Sequence, residues 1–153
     1  MIAGGDFTSV VDSVRGQLAL PEGRFIALGN TIPAGWVSYE SIVARGVWPC
    51  EFDAVAAEDM CALMYTSGTT GKPKGCELLH RGFVELSKNA TLEMSEVVNP
   101  KHSTLLFLPL AHVFARFISV LCVHGGVKVG HQPDTKNVAP AMQSYKPHFL
   151  LAV

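Results

Sequence analysis

The sequence has few charged residues for its size. They make up 16% of the 153 residues, whereas hydrophobic residues make up 48%, and an average soluble domain carries about 25% charged residues. So apolar a composition excludes intrinsic disorder, which requires low hydrophobicity and high net charge. With a formal net charge of −1, the sequence has no surplus of basic residues, which is what a nucleic-acid-binding surface would show. The shortage of surface charge indicates a piece of a larger domain.

Zinc motifs, secretory signals and long apolar runs are also missing. The cysteines at positions 50, 61, 76 and 122 form no CxxC pair, so we expect buried thiols in a reducing compartment and no metal site. The first ten residues include Asp6 and no basic residue, unlike a secretory signal. No apolar run reaches the roughly 18 residues of a membrane span. We therefore expect a cytoplasmic protein with no membrane span, for which peripheral contact with a membrane stays open.

The second half of the chain alternates between strand-like and helical patterns. This order is typical of parallel strands joined by right-handed helical crossovers, and it predicts an α/β fold with a mostly parallel sheet flanked by helices. The buried apolar run 60–65 and the short strand 74–79 enclose a polar loop, and 47–59 is expected to be an acidic loop. The other predicted strands are 24–28, 103–108, 127–129 and 148–153, and the predicted helices are 7–18, 38–45, 80–94, 111–123 and 137–145.

The polar loop is the part of the sequence with a chemical signature. Residues 65–75 read YTSGTTGKPKG, with three glycines, two lysines and four Ser or Thr hydroxyls, and no carboxylate lies between Asp59 and Glu77. Glycines let backbone N–H groups approach an anion, hydroxyls donate hydrogen bonds to phosphate oxygens, and lysine adds positive charge. The loop therefore predicts a polyphosphate site, against the alternative of a flexible linker between two strands.

The loop differs from the Walker A motif. That motif needs four residues between its first Gly and a Gly-Lys-Ser/Thr triplet, but Pro73 stands where the second Gly would follow Gly68. Gly71-Lys72 is also followed by Pro73, which has no hydroxyl for Mg²⁺. The segment is therefore interpreted as a phosphate loop of a different kind from Walker A.

Residues 65–75 resemble the phosphate-loop signature of the adenylate-forming superfamily, which comprises acyl-CoA synthetases, nonribosomal-peptide adenylation domains and luciferases. The segment FLPLAHVF at 107–114 resembles the next signature of that superfamily, and YKPHFLLAV at 145–153 resembles the strand that follows it. Both segments are closest to AMP-forming long-chain fatty acyl-CoA synthetases. The resemblance is firm over 58–153 and loose over 1–57.

The resemblance implies a two-step reaction in which a fatty acid attacks ATP and the acyl-adenylate is then transferred to CoA. ATP, the fatty acid and CoA are thus the implied partners, with Mg²⁺ as cofactor. It implies that His112 lies at the wall of the acyl and adenylate site, against the alternatives of a structural helix cap or a half-buried packing residue. Lys72 holds a variable position and is expected to be more solvated than Lys74. The residues implied to bind the ATP phosphates are Thr66, Ser67, Gly68, Thr69, Thr70, Gly71 and Lys74.

Three further signatures of the superfamily are absent from the 153 residues. They are an aromatic-Gly-x-Thr-Glu segment that binds adenine and Mg²⁺, a Thr-Gly-Asp segment that holds the ribose, and a catalytic lysine. We therefore expect an incomplete piece of a single AMP-binding N-terminal domain, with no catalytic residue or metal ligand of its own and with the rest of its polypeptide as a partner. Two alternatives stay open: a non-catalytic truncated product that binds ATP or pyrophosphate weakly, and an adenylation domain from another branch of the superfamily.

Overall fold

The computed structural model describes residues 1–46, 54–67 and 71–152 of the chain. These residues form two compact units, Met1–Asp53 and Ala54–Val153. Part of the expected loop at 47–59, the loop residues 68–70 and Val153 lie outside the described residues. Among the described helices, none has both the length and the apolar character needed to span a membrane.

The first unit contains a small parallel sheet of three strands, which lie side by side in chain order. Trp36 and Phe25 meet edge to face in its core, with ring centroids 5.6 Å apart, and the Trp36 indole N–H donates to a carboxylate oxygen of Asp12 at 3.0 Å. The predicted helix 7–18 is shorter because 3₁₀ turns flank it on both sides. The elements are β1 (Ile2–Gly4), α1 (Thr8–Val14), β2 (Ile26–Leu28), β3 (Val37–Ser38) and α2 (Tyr39–Ala44).

The second unit opens with an antiparallel hairpin of β4 (Met60–Thr66) and β5 (Lys74–Leu79). The prediction that a loop joins two strands here is confirmed, but the prediction that 60–65 is buried is wrong. Tyr65 is 69% exposed and Met60 is 54% exposed. The reason is that an apolar run is buried only when other elements cover both faces, and the described residues supply no third strand to this sheet.

A second, parallel pair of strands forms the main core of this unit. Leu106 pairs with His131 at the end of the ladder, and Leu106 packs with Ala115, Ile118 and Leu121 in one buried cluster. This parallel arrangement with helical crossovers confirms the predicted fold class. The elements are α3 (His80–Glu93), β6 (Ser103–Leu106), α4 (Val113–Gly125), β7 (Lys128–His131) and α5 (Val138–Tyr145).

The helices α4 and α5 lie on opposite faces of the β6–β7 pair. Leu106 and Val129 face the cluster that contains α4. On the other face, a Cβ added at Gly130 would lie 3.0 Å from Cζ of Tyr145, at the end of α5. The Tyr145 hydroxyl also donates to the Lys128 carbonyl oxygen at 3.4 Å. The crossovers after β6 and β7 therefore leave the sheet in opposite directions.

The predicted strand 148–153 is reduced to a single bridge between Phe149 and Thr104. The Thr104 hydroxyl donates to the Phe149 carbonyl oxygen at 2.9 Å, and residues 150–152 form no strand. The strand β6 itself ends at Leu106, two residues earlier than predicted. The expectation of buried thiols is likewise wrong for Cys61 and Cys76, which are exposed on the hairpin, and holds for Cys122.

Candidate phosphate-binding site

The hairpin brings the two ends of the predicted phosphate loop together. Thr66, the last residue of β4, pairs with Lys74, the first residue of β5. Because side chains alternate between the faces of a strand, Thr66 and Lys74 lie on the same face, together with Cys76 two positions further along. The two side chains thus leave the same face of the hairpin at its loop end.

Gly71 has a backbone conformation that explains its residue type. Its φ is +79°, in the left-handed region that glycine adopts without a steric penalty. Among the described residues, apart from its chain neighbours, no atom lies within 4 Å of the position that a Cβ would occupy. Gly68, Thr69 and Thr70 lie outside the described residues, and their predicted role stays a prediction.

A cleft of about 520 Å³ separates the hairpin from the start of α4. Thr66 and Ser67 line it from the end of β4, and His112 lines it from the residue before α4. The structure therefore brings three of the residues that sequence analysis selected into one cleft. Gly71 and Lys74 are not among the cleft-lining residues, although the strand pairing places Lys74 next to Thr66.

His112 occupies the N-cap position of α4 in an extended conformation. Its imidazole makes no capping hydrogen bond, which removes the alternative of a side-chain cap. The helix α4 runs for 13 residues from this point, and the N-terminus of a helix carries a partial positive charge with free N–H groups. The exposed imidazole and the helix end together make this wall of the cleft suited to an anion.

The charges around the loop also favour an anion. Within the described part of the chain, neither Lys72 nor Lys74 forms an ion pair; the pairs found there involve Arg15, Arg81 and Lys88. The described lining of the cleft contains no carboxylate, and no group of three or more His, Cys, Asp or Glu side chains is placed to hold a metal ion in the ranges 1–46, 54–67 and 71–152.

Sequence analysis missed the apolar wall of the cleft. Met64 and Cys76 pair across the hairpin and line the cleft together with Leu78 and Val113. The signal was available in the strand period of two, which places residues 74, 76 and 78 on one face. The cleft thus has a polar end at Thr66, Ser67 and His112 and an apolar end beside it.

The chain is similar to curated long-chain fatty-acid ligases. It is 41% identical over 100 residues to the long-chain-fatty-acid–CoA ligase FadD15 of Mycobacterium tuberculosis, a match that covers 65% of this chain and 17% of the relative. It is 31% identical over 126 residues to long-chain-fatty-acid–CoA ligase 1 of Saccharomyces cerevisiae, covering 76% of this chain and 18% of the relative. The matches thus span less than a fifth of either relative.

Solved structures of adenylate-forming enzymes share the fold. The chain superposes with a TM-score of 0.81 on the anthranilate CoA ligase AuaEII, at 22% identity, covering 97% of this chain and 29% of that structure. It gives the same TM-score against a long-chain-fatty-acid CoA ligase of Rhodopseudomonas palustris, at 16% identity, covering 99% of this chain and 37% of the other. The family model described as AMP-binding enzyme matches residues 6–153, so the chain belongs to the family of AMP-binding enzymes.

Proposed function

We propose that this chain is the phosphate-binding part of an AMP-forming ligase that activates a long-chain fatty acid with ATP and passes the acyl group to CoA. The observation that carries the proposal is the meeting of Thr66, Ser67 and His112 in one cleft at the loop end of the hairpin. The two further substrates in this proposal, a long-chain fatty acid and the thiol of CoA, are inferred from relatives named long-chain-fatty-acid–CoA ligases.

In this proposal the loop neutralises the negative charge of the ATP phosphates that leave as pyrophosphate. The hydroxyls of Thr66 and Ser67 donate to phosphate oxygens, and Lys74 supplies a charge-assisted hydrogen bond. Gly71 keeps the backbone open, and Gly68, Thr69 and Thr70 complete the cradle. Preorganised donors of this kind lower the barrier because they meet charge as it develops.

The α4 end of the cleft serves the acyl-adenylate. His112 lies where an anion is favoured by the helix N-terminus, next to the apolar wall formed by Leu78 and Val113. A carboxylate that becomes an acyl phosphate needs both environments, an anion-binding group for the oxygens and an apolar surface for the carbon chain.

Mg²⁺ does not fit the described residues of the cleft as a protein-bound ion. Their lining offers hydroxyl oxygens, an imidazole and no carboxylate, whereas Mg²⁺ in nucleotide sites is held by carboxylates together with phosphate oxygens. We assign no step of the reaction to a metal ligand from this chain.

A chimera tests the proposal in a working enzyme. The 100 aligned residues of the M. tuberculosis FadD15 ligase would be replaced by the matching residues of this chain, and acyl-CoA formation would be measured with palmitate, anthranilate and phenylalanine. We expect the chimera to form acyl-CoA from palmitate in preference to the other two acids, because the transplanted cleft wall is apolar and carries no described carboxylate to receive an amino group.

The control is the same chimera carrying Lys74→Ala, which keeps the fold and removes one phosphate contact. Preference for anthranilate or phenylalanine would contradict the fatty-acid assignment. A chimera with a native-like circular dichroism spectrum that no longer exchanges pyrophosphate into ATP would contradict the phosphate-binding assignment.

A further inference from the structure

Two histidines stack on each other at the amino end of β6. His102 directly precedes that strand, and His148 directly precedes Phe149, which forms the bridge to it. The ring centroids lie 4.7 Å apart, with 24° between the ring planes. His148 is exposed to solvent, so protons reach its ring. The described lining of the candidate phosphate-binding cleft includes neither histidine.

The hydrogen bonds of the two rings assign them different tautomers. The Ser103 backbone N–H donates to Nδ1 of His148 at 3.2 Å. A backbone N–H can only donate, so this nitrogen carries no proton in the observed arrangement, and the Ser103 hydroxyl, 3.0 Å away, can donate to it as well. In His102 the reverse holds, because its Nδ1 lies 2.9 Å from the Val97 carbonyl oxygen, which can only accept.

The Asn99 side chain does not change this assignment. Its amide nitrogen lies 3.3 Å from Nδ1 of His102, but the same nitrogen donates to the carbonyl oxygens of Ser95 and Glu96 at 3.2 and 3.1 Å. An amide group has two N–H donors, and these two carbonyls take both. The His102 ring is therefore held by Val97, with its other nitrogen free to accept.

The His148 imidazole reinforces the attachment of residues 148–149 to β6. The backbone N–H groups of His148 and Phe149 donate to the Ser103 carbonyl oxygen at 2.9 and 3.4 Å. The Phe149 side chain then packs against the buried cluster around α4. Ser103 thus receives this segment through its carbonyl oxygen and returns its own N–H to the imidazole, which closes a ring of hydrogen bonds.

Protonation of His148 opens this ring of hydrogen bonds. A proton on Nδ1 would point at the Ser103 N–H, which leaves two donors facing each other and removes the bond between them. A second proton on His102 would place two positive charges at the 4.7 Å separation of the rings. The charged and titratable side chains on the segments around the pair are Lys101, Lys128, Tyr145, Lys146 and Glu96. The three lysines carry the same charge as an imidazolium and oppose its formation, and Glu96 carries the opposite charge.

We propose that His148 is a pH-sensitive switch, whose neutral imidazole holds residues 148–149 on β6 and whose protonated form releases them. The attached state favours the neutral ring, because that state uses Nδ1 as an acceptor. Attachment therefore weakens as the pH falls through the range in which imidazoles gain a proton, about pH 8 to 5. Neither the phosphate loop nor the ligase reaction enters this proposal, so it stands or falls independently of the proposed function.

The test is amide hydrogen exchange of the 153-residue chain, followed by NMR at pH 7.5 and pH 5.5. Each rate is divided by the intrinsic rate of the unfolded sequence at the same pH, which gives a protection factor. We expect the protection of the Phe149 amide to fall about two- to tenfold at the lower pH, the equivalent of one hydrogen bond. The Gln132 amide, which donates to the Leu106 carbonyl oxygen at the other end of β6, should keep its protection.

His148→Asn separates the hydrogen bond from the titration. The asparagine side-chain oxygen can accept from the Ser103 N–H in place of Nδ1, and it gains no proton in this pH range. We expect its Phe149 protection to be the same at both pH values. The matched control is His131→Asn, at the opposite end of the β6–β7 ladder, which should show the same loss at pH 5.5 as the unmodified chain.

Equal Phe149 protection at the two pH values in the unmodified chain would overturn the proposal. A loss that persists in His148→Asn would overturn it as well, because another group would then be responsible. If that variant does not fold, the imidazole ¹⁵N chemical shifts of the unmodified chain at pH 7.5 decide. We expect the proton of His148 on Nε2 and that of His102 on Nδ1, and a proton on Nδ1 of His148 would contradict the proposed switch.

Discussion

At the scale of single residues, the environment of a side chain decides its chemistry more than its type does. The cysteines of the second unit illustrate this. Cys61 sits at a β-bulge, where the hairpin register shifts between Met60 and Ala62, and Cys76 lines the candidate cleft; both are exposed. Cys122 is 1% exposed inside the α4 core, and desolvation by burial raises the pKa of its thiol.

This difference predicts the order in which the thiols are alkylated. The thiolate is the reactive form, and a raised pKa lowers the thiolate fraction of Cys122 at mildly alkaline pH. We expect iodoacetamide to modify Cys61 and Cys76 well before Cys122, as measured by mass spectrometry of peptides over time. Adding denaturant should equalise the rates, and Cys122 reacting as fast as Cys76 in the folded chain would contradict the packing described for α4.

Also at this scale, the strand period was enough to place Lys74, Cys76 and Leu78 on one face, but hydropathy alone could not place Tyr65. Its apolar neighbours predicted burial, and it is exposed. Burial depends on what packs over a strand, and that information lies in distant parts of the sequence. The same limit explains why the role of His112 rests on the resemblance of its Pro-Leu-Ala-His segment to the family and stays a prediction.

At the scale of elements, the sequence features that predict where a helix or a loop ends were the most reliable. The glycines after α4 predicted a C-terminal stop, and Gly126 forms it with φ of +68°. The hairpin strand 74–79 was predicted with its observed bounds. The failures were at apolar runs, where a strand needs a partner. The predicted strand 148–153 has one bridging residue, Phe149. The predicted strand 103–108 loses its last two residues where the loop to α4 begins.

Two glycines give a stability test with opposite signs. Gly126→Ala should lower the free energy of unfolding by about 1 kcal/mol or more, because a left-handed φ is costly for alanine. An added Cβ there would also lie 3.1 Å from Pro100 Cγ. Gly82→Ala should raise the free energy of unfolding by about 0.5–1 kcal/mol, since Gly82 lies within α3, where alanine is favoured.

Urea denaturation followed by circular dichroism measures both changes. In the part of the chain that the structure describes, no atom beyond its own helix backbone and chain neighbours lies within 4 Å of the Cβ position at Gly82. Gly82→Ala therefore controls for the addition of a methyl group without a steric clash. Two destabilising results of similar size would mean that Gly82 does not lie within a helix.

At the scale of the whole molecule, the chain presents a large apolar surface. Val123 is 82% exposed and Leu92 is 75% exposed, and only 16% of the residues are charged. The low charge content of the sequence is thus matched in the structure by exposed apolar side chains.

The 153 residues by themselves should not form acyl-CoA. They contain no match to the superfamily segments that orient adenine and ribose, and such positioning contributes roughly 7–11 kcal/mol to lowering a barrier. Purified chain supplied with ATP, Mg²⁺, palmitate and CoA should release no pyrophosphate above background. Release at a rate comparable to that of the FadD15 ligase assayed in parallel would mean that the catalytic groups lie within these residues.

The central claim is that the hairpin end formed by Thr66 and Lys74 binds the phosphates of ATP. Titration calorimetry with pyrophosphate, comparing Lys74→Ala with Lys72→Ala, tests it most directly. Lys74 is fixed by its strand pairing with Thr66, so its loss should weaken binding about ten- to hundredfold, the value of a charge-assisted hydrogen bond. Lys72→Ala removes the same charge from the loop and should weaken binding less than about threefold, as a solvated charge does. Equal losses in the two variants would contradict the account.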